Sequence, residues 1–178
     1  IQVMRVWKKS KGLIISLIVL IVLGTWFMIN WIKKMRLEKF QSDSRLPRGI
    51  RNNNPGNLRI SVANWRGKIL PPFRTDKDFE QFEAAKWGIR ALMKTLKTYI
   101  EKYDLNTVEK IINRWAPPSE NITTSYVRSV EQEMIPLNPV ITWNEAQIVR
   151  LATAIIKHEN GQMPYTDALM KQAFKLAS

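Results

Sequence analysis

The stretch GLIISLIVLIVLGTWFMINWI, residues 12–32, contains no charged residue, and it limits what this chain can become more than any other feature. A helix rises about 1.5 Å per residue, so roughly 20 apolar residues cross the hydrocarbon core of a bilayer. Trp7, Trp26 and Trp31 stand where interfacial aromatic residues belong, and Lys8, Lys9 and Lys11 flank one end with Lys33, Lys34 and Arg36 at the other. The run is longer than the apolar core of a signal peptide, and no small-x-small cleavage site follows it. Residues 1–11 therefore read as a basic flank, 12–32 as a retained single-pass transmembrane helix in contact with a lipid bilayer, and 33–47 as a short polar linker ending at Pro47. Both flanks are basic, so charge does not fix the direction of crossing.

A compact domain is expected over residues 48–178, an ordinary domain size. Eight of the 28 Lys/Arg and one of the 15 Asp/Glu fall in the first 39 residues, which leaves the rest of the chain at +6. A modest basic excess suits an acidic polymer such as bacterial cell wall, anionic lipid or nucleic acid. Nucleic acid is not expected as a partner, because the basic residues are dispersed and no base-stacking segment accompanies them.

The domain reads as mainly α-helical. RGIRNNNPGNLRIS at its start is dense in Asn, Gly and Pro and is expected to be turn or loop. The following VANWRGKILPPFRTDKDFEQF admits short strands or irregular structure. FEAAKWGIRALMKTLKTYIEKY predicts a long helix with Trp87, Ala91, Leu92, Leu96, Tyr99, Ile100 and Tyr103 as its apolar side. Asn106 and Glu109 have capping-box spacing at the start of TVEKIINRW, which Pro117 and Pro118 end. SENITTSYVRSVEQEM and TDALMKQAFKLA predict two further helices.

Between those two lies the most informative segment, TWNEAQIVRLATAIIKHENG. Thr142 and Glu145 again have capping-box spacing, and Gly161 stands where a helix C-cap belongs. Ile148, Leu151, Ala152, Ile155 and Ile156 recur on one face. At roughly 100° per residue, Glu159 falls within about 40° of that apolar stripe. Its carboxyl group is thus expected either at a frayed, solvated helix end or at the floor of a cleft. In a cleft, partial desolvation favours the protonated form that a general acid needs.

The residues that are absent narrow the chemistry. No cysteine is present, so thiol nucleophiles and disulfides are excluded, and His158 is the lone histidine, so an HExxH zinc site cannot form. No GxSxG, GxxxxGK[ST] or GxGxxG segment occurs. His158 itself reads as a helix-end residue. No cofactor or metal is expected, and carboxyl acid/base work remains. Asp167, Glu80, Glu83 and Glu120 are the candidates for a second carboxylate, each more simply read as a solvated or capping residue. Trp115 reads as core rather than sugar platform, and Arg114 with Glu120 as a loop-fixing ion pair.

Four motifs in order, RGIRNNNPGNLR, F-x2-F-x5-GIRAL, TVEKIINRWAPPSENITTSYV and IIKHENGQMPY, make residues 48–165 resemble a family of phage-encoded, lysozyme-like wall-degrading proteins, which includes the lytic structural protein of the cystoviruses. AIIKHENG also resembles the helix end that carries the acid of lytic transglycosylases, and ENITTSYVRSV resembles their later tyrosine-bearing stretch. The order is reversed here, so the resemblance implies a circularly permuted, lytic-transglycosylase-like form of the lysozyme fold. It implies cleavage of peptidoglycan between sugars with Glu159 as general acid/base. Tyr126 would line the cleft, Asn53, Asn54 and Asn57 would form a polar wall for glycan amides or hydroxyls, and Tyr165 would complete the substrate-binding set. The Asn-rich segment reads equally well as a plain turn.

Two functions are therefore in view. One is a membrane-anchored muralytic enzyme of a bacterial inner membrane or a virion membrane, its C-terminal domain facing periplasm or cell wall. The other is an inactive module of the same fold that tethers a membrane to the wall or to other virion or envelope proteins.

Overall fold

A computed structural model describes residues 2–116, 123–136 and 138–178, with the side chains of 2–12 and 37 left aside. The chain divides into two compact units, Ile1–Asp43 and Ser44–Ser178.

The first unit is one helix, α1, Gln2–Gln41. Neither Gly24 nor any other residue breaks it, and two polar members of the apolar run bond to the helix itself. The Thr25 hydroxyl donates to the Val22 carbonyl at 2.9 Å, and the Asn30 amide to the Trp26 carbonyl at 2.8 Å. In a bilayer such internal satisfaction is obligatory, since lipid offers no partner. Leu13 to Ile32 expose their large apolar side chains, and the helix is long and apolar enough over Leu13–Gln41 to cross a membrane. The segment 33–47, expected as a linker, is helical as far as Gln41. Its Lys, Arg, Glu and Met residues are good helix formers, and Lys34 and Glu38 face each other at 3.8 Å one turn apart.

The second unit is helical, with no strand among its described residues. Two isolated antiparallel bridges, Arg59 with Phe79 and Lys68 with Phe82, are the only sheet-like pairings described there. Its helices are α2 (Arg48–Arg51), α3 (Ala85–Tyr103), α4 (Val108–Trp115), α5 (Thr123–Met134), α6 (Glu145–Asn160) and α7 (Asp167–Ala177). The short α2 replaces the first part of the expected loop. Helix α3 packs on α7, α5 on both α4 and α6, and α6 on α2, α3 and α7.

The core is drawn from all the longer helices of this unit: Ile89, Leu92 and Leu96 of α3, Ile111 and Ile112 of α4, Val130 of α5, the stripe Ile148, Leu151, Ile155 and Ile156 of α6, and Met170 and Ala173 of α7. Each such side chain contributes about 1.5–3 kcal/mol on burial, and the whole cluster lies within residues 89–177. The apolar face of α3 is rotated from its expected position. Ile89 and Met93 are buried, whereas Tyr103 is half exposed at the helix end.

Two caps also shift. Helix α4 is capped by Thr107, whose hydroxyl accepts from the Lys110 amide, and α6 by Asn144, whose side chain accepts from the Gln147 amide. Thr142, the expected cap of α6, instead bonds to the Gln147 side chain at 2.9 Å. Short polar side chains compete for the same orphan amides, and the winner is the residue whose backbone leaves the helix there. Pro117, Pro118 and Glu120, and with them the suggested Arg114–Glu120 pair, lie outside the described residues.

Candidate functional site

Helix α6 ends as its sequence predicts, with Gly161 in the left-handed region at φ 66°. One residue earlier, Asn160 turns inward. Its amide donates to the Pro55 carbonyl at 2.7 Å and to the Ile156 carbonyl at 2.8 Å. This bond seats the Asn-rich loop on the end of the core helix, beside Glu159.

The loop's own asparagines have divided roles. Asn54 is fully buried; its amide donates to the carbonyls of Leu58 and Glu80, and its carbonyl accepts from the Leu58 amide. Asn53, at φ 52°, donates to the Phe82 carbonyl at 3.0 Å. Both side chains are thus engaged with main-chain groups rather than lining a polar wall beside Glu159. Asn57, at φ 50°, is the one that reaches the site, and its amide donates to Oε2 of Glu159 at 2.8 Å. Gly49 lies behind it. A Cβ there would come within 2.7 Å of the side-chain carbonyl oxygens of both Asn57 and Asn160, so a larger residue would push on both side chains.

The other oxygen of Glu159 is held from α5. The Tyr126 hydroxyl donates to Oε1 at 3.0 Å, and the Tyr126 ring, fully buried, stacks on His158 at 3.6 Å and 12°. Burial, then the charge and hydrogen bond of Glu159, push the phenol well above its ordinary range. Tyr126 is therefore a permanent donor. Glu159 is half buried, neither frayed into solvent nor sealed in the core. It is a carboxyl group with a fixed orientation, one donor on each oxygen, and access to water.

Tyr165 packs partly against the core, with its hydroxyl buried and unbonded, and burial pushes that phenol up to about 12. No hydrogen bond joins it to Glu159 among the described residues. Of the other carboxylates, Glu83 is exposed and Asp167 pairs with Lys171 at 2.8 Å. Glu80 differs from its expected solvated or capping state. It is fully buried, and its Oε1 accepts from Lys68 at 2.8 Å and from the Ser61 amide at 2.9 Å. Trp115 packs partly against the core, edge-on to Tyr99. A cavity of about 610 Å³ between α4, α5 and the segment that carries Ile135, Asn138, Pro139 and Ile141 shares no residue with the Glu159 site.

Of the residues named from sequence and resemblance, Glu159, Tyr126 and Asn57 are the ones joined by hydrogen bonds, whereas Asn160 and the stacking of His158 were not anticipated. The sequence signal for Asn160 was its amide side chain immediately before the C-cap glycine of a core helix.

Fold and site together define a chain with one apolar helix fit to span a membrane and a helical domain that clamps a single glutamate between a tyrosine and an asparagine. No protein-family model matches it. Over 132 residues, 72% of this chain and 80% of the relative, it is 39% identical to Protein P5 of Pseudoalteromonas phage PM2. The chain belongs to that family of phage proteins.

Proposed function

We propose that the chain is a membrane-anchored enzyme that cleaves the glycan strands of peptidoglycan, with Glu159 as its general acid/base and a permuted lysozyme-like domain as its scaffold. The observation that carries this reading is the clamp on Glu159, whose two oxygens accept from Asn57 and Tyr126 while the group stays half exposed. A general acid must point one way, reach its substrate oxygen, and tolerate being left as a carboxylate after it gives up its proton. Donors on both oxygens meet the last requirement, and fixed orientation meets the first. The relationship to a phage protein supports a role in local wall opening during entry or release, with the apolar helix in an inner or virion membrane and the C-terminal domain toward the wall.

The test uses residues 44–178, the compact unit that contains the core, and the same unit with Glu159→Gln. Both are incubated with purified peptidoglycan and the soluble fragments are weighed by mass spectrometry. Release that vanishes in Glu159→Gln is the expected result, and the masses separate hydrolysed ends from anhydro sugars. No release by the folded wild type refutes the enzyme, and co-sedimentation with the wall would then leave an inactive tether.

A further inference from the structure

Between the Asn-rich loop and α3, the chain makes an excursion whose tip is Leu70-Pro71-Pro72-Phe73. Leu70 is 59% exposed, Phe73 is 67% exposed, and both prolines are exposed as well. Four consecutive apolar residues in water are unfavourable unless something covers them. Nor is this tip a loose end. Its turn is closed by amides of Phe73 and Arg74 that donate to the Leu70 carbonyl at 3.0 and 3.1 Å. On one side the Ile69 amide donates to the Gln81 carbonyl at 2.8 Å, and on the other the Thr75 amide donates to the Gln81 side chain at 2.6 Å. Gly67 lies against the Trp87 ring of α3, where no Cβ would fit. The fold therefore holds the apolar turn outward.

Charge in the excursion leans positive by one, with five Lys/Arg and four Asp/Glu over residues 59–83, Glu83 among the exposed ones. Asp76 and Asp78 are both engaged by Arg48 at 2.7 Å, and Glu80 is taken by Lys68. Arg66, Arg74 and Lys77 remain without an ion pair among the described residues, Arg66 resting over Trp87 at 4.6 Å. An exposed apolar tip with cations in its flanking segments is the combination that an anionic bilayer surface receives, with hydrocarbon for the tip and headgroup phosphates for the cations. Residues 33–43 are the chain that links the apolar run to this domain, so the domain is covalently held to any bilayer that the first helix spans. We infer that the Leu70–Phe73 turn is a second membrane contact, which dips into the interface of an anionic bilayer. This holds whether or not Glu159 is catalytic.

The absence of cysteine makes a direct test possible on the full chain. Leu70→Cys carries an environment-sensitive fluorophore, and Glu101→Cys, about 20 Å further along α3 than Trp87 by helical rise, carries it as a control. Each chain is reconstituted into vesicles of phosphatidylglycerol or of phosphatidylcholine containing a nitroxide-labelled lipid. Quenching at position 70 should exceed that at position 101 by at least about threefold in phosphatidylglycerol and fall toward the control in phosphatidylcholine. Adding Phe73→Ser to the Leu70→Cys chain should roughly halve it. Equal quenching at positions 70 and 101 overturns the inference, and equal quenching in the two lipids overturns the anionic requirement.

Discussion

The hydroxyl of Tyr126 and Oε1 of Glu159 lie 3.0 Å apart, a bond that links the first turns of α5 to the last turn of α6. Because burial and the adjacent carboxylate keep that phenol protonated, the donor persists at any pH at which the protein works. Tyr126→Phe keeps the ring and its stacking on His158 but frees one oxygen of Glu159. Glycan release should fall by about tenfold, with stability changed by roughly 1 kcal/mol. Glu159→Gln, which removes the acid itself, should cost at least about 100-fold. Release rates and urea midpoints of the two variants, measured together, separate orientation from folding.

Asn57 holds the opposite oxygen from a left-handed backbone position. Asn57→Asp keeps the shape and sets a second negative charge against Glu159, so release should drop more than tenfold while the near-ultraviolet circular dichroism is retained. Asn57→Gly loses the bond but suits φ 50°, whereas Asn57→Ala loses both and should be less stable than Asn57→Gly by about 1 kcal/mol. An alanine variant more stable than the glycine variant would contradict this geometry.

Lys68 and Glu80 form a buried ion pair, with side-chain exposures of 8% and 0%. Removing one partner strands the other charge in the interior. Lys68→Met alone should destabilise the domain by about 3–5 kcal/mol, and combining it with Glu80→Gln should recover a large share of that loss. Simple additivity of the two changes in denaturant unfolding would show that the pair is not coupled.

Alkaline pH should weaken the fold through its buried phenols. Tyr126 is held far above its ordinary value by burial and Glu159, Tyr165 is pushed up to about 12 by burial, and burial raises Tyr99 as well. In the unfolded chain all three titrate near pH ~10. The folded chain then binds more protons than the unfolded one, so stability is complete below that pH and falls above it, by up to about 1.4 kcal/mol per pH unit for each phenol. Unfolding free energies at about pH 9 and about pH 11 should show the decline, and Tyr165→Phe should reduce it. Since the Tyr165 hydroxyl is buried without a partner, that variant should also be no less stable at neutral pH.

How far the sequence could be read follows from which forces act locally. The apolar stripe of α6 and its glycine cap are set by helical period and backbone freedom, and both stand where the residues point. Glu159 could be singled out because a charge on that stripe conflicts with the pattern around it. The caps of α4 and α6 slipped by one and two residues because Asn106, Thr107, Thr142 and Asn144 offer nearly equivalent side chains. The tilt of α3, which buries Ile89 and Met93 and leaves Tyr103 half exposed, is decided by its packing on α7. Glu80 looked like a surface residue because its partner, Lys68, lies twelve positions away in a segment with no period at all. Asn53 and Asn54 were indistinguishable from Asn57 in sequence, and only the path of the loop decides which amide meets the glutamate.

The clamp on Glu159 also has a consequence in time. Its two donors precede it by 102 and 33 residues, and the loop that carries Asn57 is seated by Asn160, which follows it. At bacterial synthesis rates, roughly 5–20 s separate the appearance of Asn57 from that of Glu159. A nascent chain therefore emerges and threads its leading helix toward a membrane while the site is still in pieces. The carboxyl group gains its two donors only once the sixth helix has been made, so the clamp cannot close before nearly the whole chain has been translated.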